Sequence, residues 1–442
     1  MYYFPKVIMS MPYVESQRST QMSDVSQQSG SSDLMVNNLI YKQPAALSLA
    51  VNRTYKKMFF QRSAYTGDKS TTMICDWNTG TSYVNCDNSY VSFKVKLTGT
   101  ANPIEPTASF GSGSAMNIIN EVRIQSRSGT ELERLQNANL WSKYDSLYSK
   151  PYGNLTTVGS IQGFGPNLSA GDPASLNNVV YKRFVLPLYV ISPFFRPMKK
   201  QLLPPQLASG LHFEFVLEDF RTALLGLSGA VTGYDIEGLY FNLDCVDMTD
   251  DVQRTINMES AQDGLEYTYE RIFTSISQLP SAQLSISQQV RKAVSQACFA
   301  TTLTISQADR INIAKDPLCC IPFNYTSFQY RLGALYFPNQ EVQDASDGIE
   351  AYMISQEVYD KLKHPYSEGS VSIESFKLKH GVVSASFEKD TNLSVSGLPI
   401  NNSRVLELNA TYAEVAEPLE VVSFLQYCVV ARTYIDNTAL AV

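Results

Sequence analysis

Histidine is the first residue type to examine for acid–base or metal chemistry, and the chain has only three: His212, His364 and His380. His212 alternates with Glu214 on the polar face of a predicted strand, while His364 precedes a proline and His380 precedes a glycine. These positions are typical of an exposed strand residue, a helix C-terminal cation and a turn residue. Because the three lie far apart in sequence, they predict no catalytic or metal site.

Carboxylates are the second group of side chains that could do acid–base or metal chemistry. They cluster at Asp244, Asp247, Asp250 and Asp251 and again at Glu131 and Glu133. The aspartates do not follow the Asp-x-Asp-x-Asp-Gly spacing of a calcium loop. They also lie where a strand is predicted to end and a helix to begin. We therefore expect the aspartates to cap that helix and both groups of carboxylates to face solvent.

Two further clusters have a structural and a functional interpretation. Adjacent Cys319 and Cys320 would need a second cysteine pair to bind a metal, and none has suitable spacing, so buried apolar residues are expected. Arg196, Lys199 and Lys200 could contact a partner or a phosphate, although one solvated turn explains them as well. Of the two, the solvated turn is the favoured interpretation.

Catalytic sequence motifs are absent. There is no HExxH, no GxSxG and no phosphate-binding glycine loop. Gly111-Ser112-Gly113-Ser114 is rich in glycine, but no phosphate-binding lysine follows it, and a flexible loop that enters a strand or helix is expected. The sequence thus predicts no catalytic, cofactor-binding or metal-binding residue, no cofactor, and a protein that is not an enzyme.

Composition narrows the class of protein. The 442 residues are 44% hydrophobic and 11% aromatic, but only 17% are charged, against about 25% in an average soluble domain. A net charge of −7 argues against a protein whose main role is to neutralise nucleic-acid phosphates. Seven dispersed cysteines without a CxxC pair favour a reducing compartment. No apolar run approaches the roughly 18 residues of a membrane helix.

Residues 1–50 are predicted to be a flexible N-terminal arm. Eleven of the 18 residues at positions 16–33 are serine or glutamine. The segment therefore has too few large apolar side chains for their burial to offset the entropy cost of ordering it. The first sixteen residues, MYYFPKVIMSMPYVES, lack the basic start and apolar stretch of a secretory signal.

From residue 51 the dominant hydrophobic period is two, which indicates half-buried antiparallel strands. The clearest examples are 91–97, 211–217 and 239–245. Loops are predicted at 65–68, 126–129 and 152–174, where Gly, Pro, Asn and Ser accumulate. Asp250 and Asp251 are predicted to cap a short polar helix that links the two halves.

The second half repeats this organisation. Strands are predicted at 265–273, 283–287, 297–304, 328–337, 381–389, 405–412 and 421–435, and a helix at 349–362. The last strand is apolar enough to run through a sheet that is buried on both faces. Two β-rich halves of similar length indicate two packed sandwiches. The boundaries are an arm at 1–50, a first domain at 51–250, a linker helix at 251–264 and a second domain at 265–442.

Three segments carry a resemblance to a known family: NIINEVRIQSRSGTELERL at 117–135, LLPPQLASGLHFEF at 202–215 and GALYFPNQ at 333–340. The first segment resembles a strand, a Ser-Gly turn and an acidic return, and the second resembles a proline-marked loop that enters a late strand. The third resembles a strand that ends in Tyr-(Phe/Tyr)-Pro-x-Gln. The family is that of the double jelly-roll major capsid proteins of icosahedral double-stranded DNA viruses. The likeness is greatest to the virophage and polinton-like group.

The resemblance implies an all-β chain of two tandem antiparallel β-sandwich jelly rolls with short helices in loops. It further implies homotrimeric, pseudo-hexameric capsomers that tile an icosahedral shell around DNA. Implied partners are neighbouring capsomers, penton and minor capsid proteins, with DNA contacted only indirectly and an internal membrane left open. The expected location is the virion, after assembly in the host cytoplasm or nucleus. Low charge and abundant aromatic residues suit large subunit contacts.

Two alternatives come from other classes. A carbohydrate- or receptor-binding β-sandwich, such as a virion spike or lectin-like module, is motivated by Trp77 and the Tyr-rich loops. A β-sandwich hydrolase with carboxylates distant in sequence ranks last.

Overall fold

The structure is a computed structural model. It describes residues 50–99, 108–164, 176–197, 201–225, 231–280, 285–290, 294–295, 297–304, 316, 318–343, 347–359, 369–387, 397–399, 405–413, 418–434 and 439–441. The chain divides into two compact units, Met1–Leu49 and Ala50–Val442. The predicted arm falls on the first unit, outside the described residues, and Ala50 already begins a strand.

The described part of residues 50–248 contains nine strands: β1 (Ala50–Phe59), β2 (Ala64–Thr66), β3 (Thr72–Asp76), β4 (Tyr83–Gly99), β5 (Ile119–Gln125), β6 (Glu131–Gln136), β7 (Lys182–Pro187), β8 (His212–Leu217) and β9 (Val231–Met248). Short helices lie between them at Ala115–Ile118, Ala138–Ser149, Tyr152–Thr156, Val158–Gln162, Leu188–Ile191, Pro193–Phe195, Pro205–Ala208 and Phe220–Ala223.

After the linker helix, Asp250–Gln262, the structure describes eleven more strands: β10 (Leu265–Leu279), β11 (Ser285–Val290), β12 (Val294–Ser295), β13 (Ala297–Thr304), β14 (Tyr325–Leu332), β15 (Leu335–Gln343), β16 (Val383–Ser386), β17 (Leu398–Pro399), β18 (Leu406–Tyr412), β19 (Leu419–Thr433) and β20 (Ala439–Ala441). Helical segments occur at Ile349–Val358, Ile373–Ser375 and Phe376–His380.

Both halves have the same strand topology. In the first, one sheet has the order β1-β9-β4-β7 and the facing sheet the order β3-β8-β5-β6. In the second, the orders are β10-β19-β13-β16 and β11-β18-β14-β15. Numbered within each half as eight principal strands, both read 1-8-3-6 and 2-7-4-5. This is the jelly-roll arrangement, so the chain is a double jelly roll, as the sequence predicts.

Each roll has an aromatic core between its sheets. In the first roll Trp77, only 1% exposed, lies 4.5 Å from Phe213 and 5.2 Å from Phe241 between ring centroids. In the second, the rings of Tyr325 and Tyr412 lie tilted against each other with centroids 4.7 Å apart. Burying rings this large stabilises each roll through apolar area and through favourable ring–ring geometry.

Most predicted strands are confirmed. Segments 91–97, 239–245 and 297–304 lie within β4, β9 and β13, and 421–435 largely coincides with β19. The prediction of one strand over 328–337 is wrong: β14 and β15 form a hairpin that turns at Gly333, whose φ is +63°. The segment hides this turn because most of its residues favour strands and a single glycine marks the left-handed position.

The helices differ from prediction in three places. The linker helix begins at Asp250 with Thr249 as its N-cap, so the prediction that Asp250 and Asp251 cap it is wrong. Both lie in its first turn, where their negative charges interact favourably with the helix dipole. The helix predicted over 349–362 ends at Val358, and its last three positions lie outside the described residues. The loop predicted from Tyr152 contains two short helices.

Among the described residues, no helix is long and apolar enough to cross a membrane.

Candidate functional site

The most elaborate polar arrangement joins the two rolls. We call it the seam: the buried helix Ala138–Ser149, strand β6 and Pro193–Phe195 of the first roll, against strand β10, residues 316 and 318–320, and residues 369–380 of the second. All residues of the buried helix except Ser149 are buried. Its sequence therefore has no solvent-facing side, unlike an ordinary amphipathic helix.

Lys143 of the buried helix is the central cation of the seam and is only 1% exposed. Its Nζ donates to the Leu318 carbonyl oxygen at 2.6 Å and to Cys319 Sγ at 3.2 Å. Burial opposes its charge, but Asp316 and Cys319 outweigh that effect and raise the pKa of Lys143 above its ordinary value. Lys143 therefore stays protonated inside the protein.

Asp316 supplies the opposite charge. Its Oδ2 accepts hydrogen bonds from the backbone N–H of Ser112 at 2.9 Å and from Ser112 Oγ at 2.6 Å, and its Oδ1 accepts from Leu318 N–H at 3.0 Å. Burial alone would raise the pKa of Asp316, but the charge of Lys143 and these hydrogen bonds lower it to about 2. The glycine-rich loop thus serves as an anchor for the second roll, where a flexible loop was expected.

A second ionic contact crosses the seam at Arg271 of β10. Its Nη2 lies 2.7 Å from Glu131 Oε1 and its Nε lies 3.5 Å from Glu133 Oε1. Glu133 is fully buried, and burial raises its pKa to about 8 even though Arg271 opposes the shift. Burial prevails because Arg271 makes its short contact with Glu131. The prediction that these glutamates face solvent is wrong for Glu133.

Hydroxyl groups complete the seam by donating to backbone carbonyls of the other roll. Tyr267 donates to Phe194 O at 2.8 Å, and Tyr269 donates to Leu132 O at 2.5 Å. Tyr148 of the first roll donates to His380 O at 2.8 Å. Each bond joins a hydroxyl of one roll to a backbone carbonyl of the other at hydrogen-bond distance, so the two rolls fit in one specific alignment.

Arg196 and Asp145 hold the end of the buried helix. Two guanidinium nitrogens of Arg196 lie 3.1 and 2.6 Å from the Asp145 carboxylate oxygens, and Nε donates to Tyr189 O at 2.7 Å. The guanidinium also lies 5.1 Å from the ring centroid of Trp141. The solvated-turn prediction is therefore wrong for Arg196, while Lys199 and Lys200 lie outside the described residues.

Asp244 is likewise buried rather than solvated. Arg53 binds its carboxylate with two bonds of 2.7 Å, and Asn85 and Asn88 each donate to it at 3.1 Å. Burial opposes ionisation, but these hydrogen bonds and the charge of Arg53 lower the pKa of Asp244. This site is an ion pair that secures edge strand β1 to β9.

The other candidates have structural environments. His212 is engaged at both ring nitrogens, by Asp76 at 2.6 Å and Glu214 at 3.3 Å, so neither nitrogen is available to a substrate. His380 is 4% exposed, and burial lowers its pKa well below the usual value. It is the last residue of the helical segment Phe376–His380, so the prediction of a turn residue is wrong. His364 lies outside the described residues. Cys320 is buried as expected, while Cys319 is partly exposed and contacts Lys143.

Among the described residues, no three histidine, cysteine or carboxylate side chains are grouped to hold a metal ion.

The residues that build the seam were not singled out by motif. Lys143 had a usable signal: it is the only cation in ANLWSKYDSLYS, a segment crowded with apolar and aromatic residues. A second usable signal was the alternation of Tyr267 and Tyr269 on one face of a predicted strand. Their carbonyl partners have no signal in the sequence, because a backbone oxygen has no residue identity.

Comparison with sequence-family models and with curated proteins gives no match. Comparison with solved structures gives several. The Faustovirus major capsid protein has a TM-score of 0.60 at 9% identity, covering 95% of this chain and 98% of that chain. PBCV-1 VP54, as fitted into a reconstruction of the virophage Sputnik, has a TM-score of 0.58 at 13% identity, covering 91% and 98%. The mavirus major capsid protein has a TM-score of 0.51 at 10% identity, covering 100% and 96%. At such low identities these likenesses establish the shared fold.

Proposed function

We propose that this chain is a major capsid protein, a structural subunit without enzymatic activity. The observation that carries the proposal is a pair of rolls with the same strand order, joined by the seam into one compact body. Likeness over nearly the full length of the Faustovirus and mavirus major capsid proteins supports it.

Two similar rolls in one rigid subunit suit a particular assembly. Three such subunits in a closed ring present six similar lobes, a pseudo-hexameric outline that can tile an icosahedral face around double-stranded DNA. We further propose the domain boundaries of 1–50 for the arm, 51–250 for the first roll, 251–264 for the linker and 265–442 for the second roll. Penton and minor capsid proteins are the expected neighbours, with DNA reached only indirectly, in virions assembled in the host cytoplasm or nucleus.

The seam is suited to this role because it resists rotation of one roll against the other. Apolar contact alone tolerates sliding, whereas hydrogen bonds such as Tyr269 to Leu132 O require one alignment. A capsomer with a defined outline needs such a fixed angle in every subunit.

The competing carbohydrate-binding interpretation loses its main motivation. Of the two tryptophans, Trp77 is 1% exposed and Trp141 is 3% exposed, so neither offers a ring to a sugar. Trp77 packs in the core of the first roll instead.

The test is the solution mass of the purified protein by light scattering, followed by negative-stain imaging of the same peak. A mass of about 148 kDa, three times the 49.2 kDa chain, with hexagonal particles is the expected result. A stable monomer that binds glycans on an array would instead establish the binding module.

A further inference from the structure

The duplication of the fold extends to the sequence of the first strand in each roll. Strands β1 and β10 hold the same place in their sheets, next to β9 and β19 respectively. Aligned on their Thr-Tyr pairs, the two strands match at Thr54 and Thr268, Tyr55 and Tyr269, Lys57 and Arg271, Met58 and Ile272, and Phe59 and Phe273. The two strands therefore present similar side chains on corresponding faces.

In the second roll this face is covered. Tyr269 is fully buried and donates to Leu132 O on β6, and Arg271 contacts Glu131 on the same strand. Strand β6 is the fifth principal strand of the first roll and lies at the edge of its sheet. The seam thus includes a contact between the first principal strand of one roll and the fifth principal strand of the other.

In the first roll the same face is exposed. Val51 and Phe59 are each 69% exposed and Tyr55 is 59% exposed, all on edge strand β1. Three large apolar side chains in one row on an edge strand are unusual for a surface that remains in water. Their counterparts in β10 show what kind of surface covers such a row.

The complementary surface is exposed in the second roll. Strand β15 lies at its sheet edge, in the position that β6 holds in the first roll. Leu335 and Tyr336 on β15 are 45% and 40% exposed, whereas Leu132 and Glu133 on β6 are fully buried. Charge also matches: the charged residues of β1 are all cations, and the one charged residue of β15 is the anion Glu341.

We infer that the β1 face of one copy of this chain binds the β15 edge of a second copy, repeating between subunits the contact that the seam makes within one. The inference deepens the proposed function and rests on it. Each copy carries one β1 face and one β15 edge, so the contact is heterologous, and a threefold rotation between neighbouring copies closes it into a ring. In a ring of three, every roll meets the next through equivalent elements.

The first test is a Tyr55→Asp, Phe59→Asp double variant, compared with Met258→Asp as a matched control. Met258 is 62% exposed and lies on the linker helix, outside strand β1. The double variant is expected to fall from three chains to one in light scattering, while far-UV circular dichroism stays unchanged and the control remains trimeric. A double variant that stays trimeric overturns the inference without affecting the proposed function. A monomeric wild type contradicts the proposed function itself.

The second test identifies what occupies the β1 face. Phe59 is replaced by the photoreactive p-benzoylphenylalanine, and mixed isotope-labelled and unlabelled chains are irradiated and mapped by mass spectrometry. We expect links between chains that end in residues 335–343. Links within one chain to residues 1–49 would show that the N-terminal segment covers β1, and links to another surface would show a different interface; either result overturns the inference.

Discussion

Lys143 of the first roll donates its ammonium proton to the carbonyl oxygen of Leu318 in the second roll, over 2.6 Å and with 1% of the lysine exposed. This bond places a full positive charge inside the contact between two sandwiches. The charge is tolerable only because Asp316, Leu318 and Cys319 all come from the same short segment of the other roll. The contact is therefore selective for one alignment of the rolls.

Removing this cation should loosen the seam. We expect Lys143→Met to lower the free energy of unfolding by about 3 kcal/mol, because Asp316 and the Leu318 carbonyl lose a buried partner. Lys94→Met is the control, since Lys94 forms a half-exposed pair with Glu237 at 3.4 Å and should cost below about 1 kcal/mol. Urea unfolding of both variants at one protein concentration measures the difference. Equal costs would contradict a special role for Lys143.

Asp316 should contribute stability that depends on acid pH. Its pKa is about 2 in the folded protein, below the ordinary value of 3.8, so its contribution is present above about pH 4 and is lost as pH falls toward 2. We expect Asp316→Asn to be less stable than wild type by roughly 1–2 kcal/mol at pH 6, after allowance for partial exposure. The gap should close near pH 2. A gap that stays constant between pH 6 and pH 2 would show that ionisation is not the cause.

The ionisation of Glu133 should affect stability with the opposite sign to that of Asp316. Its folded pKa of about 8 lies above the ordinary 4.5, so burying its carboxylate costs stability progressively as pH rises from about 4.5 to 8. Glu133→Gln is expected to be more stable than wild type by roughly 1–3 kcal/mol at pH 9, and by much less at pH 5. Midpoints of urea unfolding at the two pH values measure this. Surface Glu237→Gln serves as the control, and the idea fails if Glu133→Gln gains nothing at pH 9.

The tyrosine hydroxyls of β10 should contribute more to the stability of the protein than tyrosine hydroxyls that are partly exposed. Tyr269→Phe removes the donor to Leu132 O and leaves that buried carbonyl without it, at an expected cost of about 1–2 kcal/mol. Tyr240→Phe, at a half-buried position on β9, should change stability by less than about 0.5 kcal/mol. Thermal unfolding of the two variants provides the comparison. If the two substitutions shift the midpoint equally, the Tyr269 bond does not stabilise the seam.

Hydrophobic periodicity predicted much of the fold because alternation is a local property. The strand predicted at 297–304 coincides with β13 residue for residue, and 265–273 lies inside β10. The hairpin of β14 and β15 was missed for a local reason too, since only one glycine marks its two-residue turn between two strand-forming segments. The seam was not predictable in the same way, and Glu133 and Arg196 were both expected in solvent.

What the sequence determined by itself was the class of the protein: two β-rich halves, little charge, many aromatic residues and no catalytic motif. Alternating side chains commit a segment to a half-buried strand wherever that strand lies. Only the tertiary structure decided the fate of individual charges. Arg53 and Asp244 are separated by 191 positions in the sequence. Whether such a charge is solvated or buried depends on the partner that folding brings within about 3 Å of it.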